Sequence, residues 1–284
     1  MGEQPVGFVG LGQIGAPMAR RLLAWPAGLV VFDVVPAATE PFAGTGAVVA
    51  DSVAAVGAAC GVVSVMVRDD AQVREVVGRL APAMAEDGVI AVHSTIRAET
   101  AEALAAELAP TGIAVLDVPV SGGVVGATDG TLAAIVGGDR DAYERAKPVF
   151  GHWATLVVHM GPAGAGTRAK LARNLIHFVS YAAAAESQRL AEAAGLDLGK
   201  LGRVVRHSDA VTGGPGAIMV RSSAGPLAPD DPLLEIFRHT RALGEKDLAL
   251  ALELADQLGV DLPFTRASLA DLAQSLGLPD DPSE

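Results

Sequence analysis

The feature that most limits the folds open to this chain is the run Gly10-Leu11-Gly12-Gln13-Ile14-Gly15. It lies between the apolar run Val6-Gly7-Phe8-Val9 and a stretch with helical spacing, Ile14, Met18 and Leu22. Strand, tight turn and helix is the setting in which each glycine has a physical task. The first allows the turn, the second lets backbone N–H groups approach a pyrophosphate, and the third lets the helix pack closely on the strand. The helix N-terminus adds partial positive charge under the phosphates. Trp25-Pro26 ends the helix, and Leu29-Val30-Val31-Phe32 reads as the next buried strand, ending at Asp33, 18 residues after Gly15. A carboxylate there accepts hydrogen bonds from both ribose hydroxyls and repels a 2′-phosphate, and Val34 and Val35 supply no cation to offset that. The residues therefore predict NAD in preference to NADP, held by Gly10, Leu11, Gly12, Gln13, Ile14, Gly15 and Asp33. The bland alternative is a glycine-rich turn with a capping aspartate; the complete strand–turn–helix–strand–acid order argues against it.

The alternation continues. Val62–Val67, Val89–Val92 and Ala114–Leu116 read as strands, with helices at Ala71–Leu80 and Glu99–Ala109. Thr131–Val136, Tyr143–Phe150 and Thr155–His159 add strand, helix and strand at the edge. This predicts an α/β fold, a doubly wound, mostly parallel sheet of the Rossmann type covered on both faces. From Thr167 to Ala194 there is no Gly or Pro for 28 positions, alanine is dense, and Gly195 offers a C-cap. A helix that long in a compact protein bridges domains or forms the spine of the second. The remainder, Leu198 to Leu276, reads as helical with Gly/Pro breaks and no strand, and the polar tail Pro279 to Glu284 as loose. The expected division is a dinucleotide-binding domain over 1–162 and an all-helical domain over 163–284, at a length that suits two domains.

Composition narrows the partners. The formal charge is −12 and the pI about 4.9, which argues against nucleic acid. Mean hydropathy is +0.38, yet every apolar stretch is broken before the roughly 18 residues that a membrane span needs. The N-terminus lacks the basic start and apolar run of a signal peptide. The single cysteine, Cys60, excludes an internal disulfide, suits a reducing cytoplasm and reads as a small core residue. No metal site is expected.

Lysine is scarce: the chain has four, against 17 arginines. One of them, Lys170, follows the Gly-rich entry Gly161-Pro162-Ala163-Gly164-Ala165-Gly166, with Asn174 one helical turn beyond. Residues i and i+4 share a helix face, so the amine and the amide can grip one small molecule. Only lysine of the two cations loses its proton near neutral pH. Taken by spacing alone, a solvated lysine is the commoner case.

Four blocks together resemble the β-hydroxyacid dehydrogenases, the family of 3-hydroxyisobutyrate dehydrogenase, tartronate semialdehyde reductase and, more distantly, 6-phosphogluconate dehydrogenase. They are Gly10 to Ala19; Asp117-Val-Pro-Val-Ser121-Gly122-Gly123-Val-Val-Gly126; Gly164-Ala-Gly166 running into Lys170 and Asn174; and Lys246-Asp247-Leu248. They keep the family's order across nearly the whole chain. The resemblance implies that Ser121, Gly122 and Gly123 hold the substrate carboxylate, that Lys170 is the catalytic acid–base and that Asn174 holds the substrate. It also implies that Val67 and Arg68, in the loop after a strand, Thr95 and Lys246 contact the cofactor. A lysine in that role needs its pKa lowered, and burial beside a cation such as Arg173 would do this. Relatives associate through the helical domain, so a homo-oligomer is implied.

The chain departs from the family pattern at His93, where relatives often carry an acid, at Arg68-Asp69, and at His239, where an aromatic is usual. His177 falls on the face of Lys170 and Asn174, and a packed, hydrogen-bonded histidine is the better reading of it than a pocket residue. The resemblance thus implies an NAD-dependent oxidoreductase of a short 3-hydroxy acid, such as 3-hydroxyisobutyrate, or its semialdehyde. Val124 and Val125 suit a methyl-bearing acid. Imine reduction, or NAD(H) binding without catalysis, are the alternatives on the same fold; retention of Lys170 and the Ser121-Gly122-Gly123 loop disfavours both.

Overall fold

The computed structural model describes residues 4–221 and 223–278; the tail from Pro279, expected to be loose, lies outside them. Two compact units divide between Arg173 and Asn174. The first runs β1 (Val6–Val9), α1 (Gly15–Arg21), β2 (Leu29–Phe32), α2 (Pro36–Thr39), β3 (Val48–Val49), α3 (Val53–Ala59), β4 (Val62–Val65), α4 (Asp70–Leu80), β5 (Val89–Val92), α5 (Ala98–Leu108) and β6 (Ala114–Asp117). It continues through β7 (Val120–Ser121), α6 (Gly123–Asp129), β8 (Leu132–Gly137), α7 (Arg140–Phe150) and β9 (Ala154–Gly161). The helix α8 (Ala165–Ala193) crosses the division, and α9 (Leu198–Thr212), α10 (Leu234–Leu258) and α11 (Pro263–Ser275) complete the second unit.

The strand–helix alternation predicted from sequence is present. Strands β3-β2-β1-β4-β5-β6 form the parallel part of the sheet, the doubly wound order in which a ligand binds at the carboxyl ends of the strands. β8 then pairs antiparallel with β6 and β7 and parallel with β9. The sequence pattern does not disclose α2, β3, α3, β7 and α6; α2 is a single turn of four residues. β3 and β7 are two residues long, too short for any period. α3 and α6 have seven residues each, and α6 opens on Gly123.

Side-chain alternation sends each central strand into two cores. Val6 and Phe8 of β1, and Val89 and Ala91 of β5, pack on one face with Met18, Leu22 and Phe150. Val9, Ile90 and Val92 pack on the other with Val56, Val73, Val77 and Leu104. Burial on both faces is why these strands read as continuous apolar runs. Cys60 lies in the second core, where burial pushes its thiol up to about 12. In the second unit, considered by itself, Leu227, Leu234, Phe237, Leu276 and Leu278 form an apolar cluster, and Ala191, Ala255 and Leu262 are buried apart from it. No helix among the described residues is long and apolar enough to cross a membrane.

His93, the residue out of keeping with the family pattern, is a core residue. It is 1% exposed, stacks on Phe8, and meets Phe150 and Trp153 edge-on. Its Nδ1 lies 2.9 Å from the Val118 carbonyl and its Nε2 2.9 Å from Ser64 Oγ. A carbonyl only accepts, so Nδ1 carries the proton and Nε2 accepts from the serine hydroxyl of a neutral ring. Burial drives its pKa down to about 4, against the pull of the Val118 bond. The unfolded chain takes up a proton near 6.5 that the folded chain refuses until about 4, so stability falls as pH drops through that window. The loss is about 2 kcal/mol by pH 5 and about 3 kcal/mol at full protonation. Urea unfolding of wild type and His93→Gln at pH 7.5 and pH 5 reads this directly. The variant is expected to be weaker at pH 7.5 and to lose about 2 kcal/mol less on acidification. Equal losses in both proteins would place the acid sensitivity elsewhere.

Candidate active site

The dinucleotide turn is built by backbone proximity. Gly10 has φ +96°, and a Cβ there would collide with the Met66 carbonyl oxygen; a Cβ on Gly15 would collide with the carbonyl oxygen of Gly10. Around Gly12, by contrast, no atom beyond its chain neighbours stands within 4 Å of where a Cβ would be, so the turn faces open space on that side. No side chain caps the start of α1; the Ala16 N–H is taken by the Gly12 carbonyl at 3.0 Å and Pro17 has none, so the helix N-terminus presents its partial positive charge with no protein carboxylate capping it. Asp33 closes the turn from the side: Oδ2 accepts from Leu11 N–H at 2.6 Å and Oδ1 from Val35 N–H at 2.8 Å. Each oxygen retains a lone pair for a ribose hydroxyl. These residues fit NAD.

The neighbouring loops are clamped by a residue that sequence reasoning did not single out. Ser94 Oγ donates to the Val67 carbonyl at 2.7 Å and accepts from Val67 N–H at 2.9 Å, tying the loop after β5 to the loop after β4. Thr95 is left exposed beside it, and Arg68 is exposed, its N–H bonded to Gln72 Oε1. The signal for Ser94 was present: a hydroxyl at the end of a fully apolar strand needs a partner.

At the other end of the unit, Ser121 is half-buried and ends β7. Gly122 (φ +135°) and Gly123 (φ +64°) are exposed and lead into α6, which also exposes Val124 and Val125. The expected loop is thus a strand end passing directly into a helix start, with two left-handed glycines at the junction. Lys170 lies in the first turns of α8 and is 8% exposed. Burial lowers its pKa from the ordinary lysine value, and the charge of Arg173 lowers it further. This is the electrostatic setting the sequence called for. Asn174 follows one turn later on the same helix, half-buried. His177 is half-buried; the Tyr181 hydroxyl lies 2.8 Å from its Nε2 and its ring meets those of Phe178 and Tyr181, both largely exposed. In the second unit Lys246 sits on α10, largely exposed and 3.1 Å from Asp247, and His239 is exposed on the same helix. No group of three His, Cys, Asp or Glu able to hold a metal occurs among the described residues.

Comparison with known proteins identifies the family. Residues 5–161 match the family described as the NAD-binding domain of 6-phosphogluconate dehydrogenase. Residues 164–278 match the family described as NAD-binding of NADP-dependent 3-hydroxyisobutyrate dehydrogenase. The chain belongs to the β-hydroxyacid dehydrogenase family. Among its relatives in that family, an uncharacterized oxidoreductase of Mycobacterium tuberculosis is 53% identical, over 98% of this chain and 95% of the relative. A crystal structure of a protein from Mycobacterium avium 104 described as an oxidoreductase is 55% identical, covers 97% of this chain and 99% of its own, and superposes with TM-score 0.93. An NAD-dependent L-serine dehydrogenase of Pseudomonas aeruginosa is 34% identical, over 93% of this chain and 90% of the relative. As a β-hydroxyacid dehydrogenase, the chain is an NAD-dependent oxidoreductase acting on the hydroxyl group of a hydroxy acid.

The carboxylate of Asp33 sets the expected choice between NAD and NADP. Burying a 2′-phosphate against it costs more than about 1.4 kcal/mol, so kcat/KM with NAD should exceed that with NADP at least tenfold. Asp33→Ala should narrow the ratio chiefly by weakening NAD, because it also removes the acceptor of Leu11 N–H. Steady-state kinetics with both cofactors checks this; equal efficiency in the wild type would refute it.

Proposed function

We propose that the protein interconverts a short 3-hydroxy acid, of the 3-hydroxyisobutyrate kind, and its semialdehyde, with Lys170 as general acid–base. The observation that carries the reading is the buried Lys170, held below the ordinary lysine pKa by desolvation and by Arg173. Bound NAD supplies the carbon that accepts the hydride. In oxidation, neutral Lys170 Nζ takes the hydroxyl proton as the carbon–hydrogen bond breaks; in reduction, the ammonium returns it to the nascent alkoxide. Ser121, through its hydroxyl, and Gly122 and Gly123, through backbone N–H groups, hold the carboxylate. Asn174 orients the hydroxyl-bearing carbon. Thr95, Val67, Arg68 and Lys246 contact the cofactor. Val124 and Val125 favour an apolar substituent, a methyl rather than the ammonium of L-serine. Imine reduction would use neither a carboxylate cradle nor this lysine, and cofactor binding without turnover would leave a buried lysine of lowered pKa without a task. We assign the dinucleotide-binding part to residues 1–162 and the helical part to 163–284.

One set of kinetic measurements tests the chemistry. Lys170→Arg keeps the charge but offers no neutral base near pH 7, so kcat should fall roughly 10²- to 10⁴-fold with NADH affinity within a few fold. In the wild type, oxidation should rise and reduction fall with pH through one midpoint below the usual lysine range. The methyl ester of the acid should lose at least about 100-fold in kcat/KM, since charge-assisted bonds to a carboxylate are worth roughly 1.5–3 kcal/mol each. Ser121→Ala should impair turnover of the acid and hardly that of the ester. An active Lys170→Arg would remove the lysine from the mechanism, and an ester as good as the acid would remove the carboxylate cradle.

The partner that completes the helical part is a second copy of this chain. Leu175, Phe178 and Tyr181 of α8, with Val204 and Val211 of α9, are each more than half exposed, while the apolar cluster of that unit comprises, among the described residues, Leu227, Leu234, Phe237, Leu276 and Leu278. Helices of this length draw their stability from burying an apolar face, and an identical chain supplies a matching one. A cytoplasmic enzyme of this kind is consistent with the lone buried Cys60. Light scattering on the purified protein should give a mass of at least twice the 28.7 kDa chain, and Phe178→Glu should reduce it. A monomer in the micromolar range would refute the assignment.

A further inference from the structure

Gly164, the residue before α8, has no side chain to cap the helix; the Ala165 N–H turns back to the Pro162 carbonyl at 3.0 Å, while the Gly164 and Thr167 N–H groups take their acceptor from outside the segment. The acceptor comes from 47 residues upstream. Asp117, at the end of β6 and 1% exposed, accepts from Gly164 N–H at 2.8 Å with Oδ1 and from Thr167 N–H at 2.6 Å with Oδ2. The backbones beneath leave no slack. Asp117 pairs with Gly137 of β8. A Cβ on Gly166 would stand 2.5 Å from the Ile135 carbonyl oxygen, 2.6 Å from that of Asp117 and 2.7 Å from Gly137 N. A Cβ on Gly137 would run into Asp117 Oδ1. The helix therefore starts hard against the strand ends, and two charge-assisted bonds hold it there. Glu102, another carboxylate near the start of α8, is taken up by Arg168 at 2.7 Å.

Two functional groups depend on this junction. Thr167 precedes Lys170 by three residues, so the N–H that Asp117 holds lies one turn below the lysine on the same face. In the other direction the chain leaves Asp117 through Val118, Pro119 and Val120 and reaches Ser121, Gly122 and Gly123. We propose that Asp117 is a positioning residue: its carboxylate, bonded to the first turn of α8, fixes Lys170 relative to the carboxylate-holding segment that follows β6. It touches neither substrate nor cofactor. The inference rests on Lys170 being the acid–base group.

Asp117→Asn keeps the shape but turns one acceptor into an NH₂ that faces a helix N–H. Two assays read the variant. The first is steady-state kinetics with NADH affinity measured alongside. The second is the titration of Lys170 followed by NMR of the ¹³C-methylated protein, tractable because the chain has only four lysines and Lys170→Arg identifies the resonance. Expected are a kcat lower by about ten- to hundredfold, the order that a 1 Å misplacement costs, and NADH affinity within about threefold. The Lys170 midpoint should rise by about one pH unit as the loosened turn admits water, a tenfold change in its protonation constant. Unchanged kcat and midpoint with only a lowered Tm would show a cap that serves stability alone and would overturn the proposal. If Lys170→Arg itself turns over the acid, the acid–base reading fails, while the titration still decides whether Asp117 positions that side chain. Should Asp117→Asn not be recovered folded, Asp117→Glu displaces the acceptors by one methylene and is read on the same two assays.

Discussion

The first unit depends on how closely backbone can approach backbone at the carboxyl ends of its strands. At Gly10 and Gly15 a single added carbon would strike a carbonyl oxygen of another segment, so β1 can turn into α1 within a few residues only because both lack one. That tight turn lets α1 pack on the sheet, leaves Gly12 facing open space and brings Leu11 N–H to Asp33. The same device recurs at Gly137 and Gly166, where α8 begins. Both the nucleotide turn and the start of the helix bearing Lys170, the proposed acid–base, are thus places where missing side chains let fixed backbone dipoles come close to neighbouring segments.

What the sequence discloses follows from range. The central strands are legible because burial on both faces makes them unbroken apolar runs, and α8 because it goes 28 positions without a breaker. The nucleotide turn is legible because its whole logic fits within residues 6–33. Short elements such as β3 and β7, two residues each, are not, since they exist only through their partners, β2 and β8. Lys170 stands out from sequence because lysine is rare here, yet its burial is a fact of packing that no spacing contains. His93 is the same case: the sequence marks it only as a departure from the family pattern, and packing supplies its setting, Ser64, Val118 and three aromatic rings.

Helix starts make the distinction concrete. α3, α4, α7 and α9 are capped by Ser52, Asp69, Asp139 and Asp197, each accepting from the N–H three residues on, and such caps can be read off a sequence. α8 and α11 have no such residue: Gly164 precedes one, and Leu262 with Pro263 opens the other. In each case a buried carboxylate distant in sequence supplies the acceptors. Asp117 serves α8. Glu186, 2% exposed on α8, accepts from Phe264 N–H at 2.8 Å, Thr265 N–H at 2.9 Å and the Thr265 hydroxyl at 2.8 Å, and so serves α11. A carboxylate buried in an apolar chain is costly unless such donors meet it, so Asp117 and Glu186 would look misplaced in a hydrophobicity profile and are explained only by the helices they hold.

The two carboxylates settle differently, and the difference is physical. Burial raises the pKa of both, and N–H bonds oppose it. At Asp117 burial prevails and the carboxyl is pushed up. At Glu186 the donors of Phe264 and Thr265, joined by Arg189 at 3.7 Å, prevail and hold it below the usual range. Linkage then gives opposite signs. Ionised Glu186 contributes stability that is present above the unfolded-state pKa and fades as pH falls through its lowered folded value. Asp117, with its pKa raised, favours folding more when protonated, and that contribution is lost as pH rises through its raised folded value, because desolvation outweighs what its two bonds give the charged form. A carboxylate retained at such a cost, at the joint between the strand leading to Ser121 and the helix bearing Lys170, is better explained by the geometry it fixes than by the stability it adds.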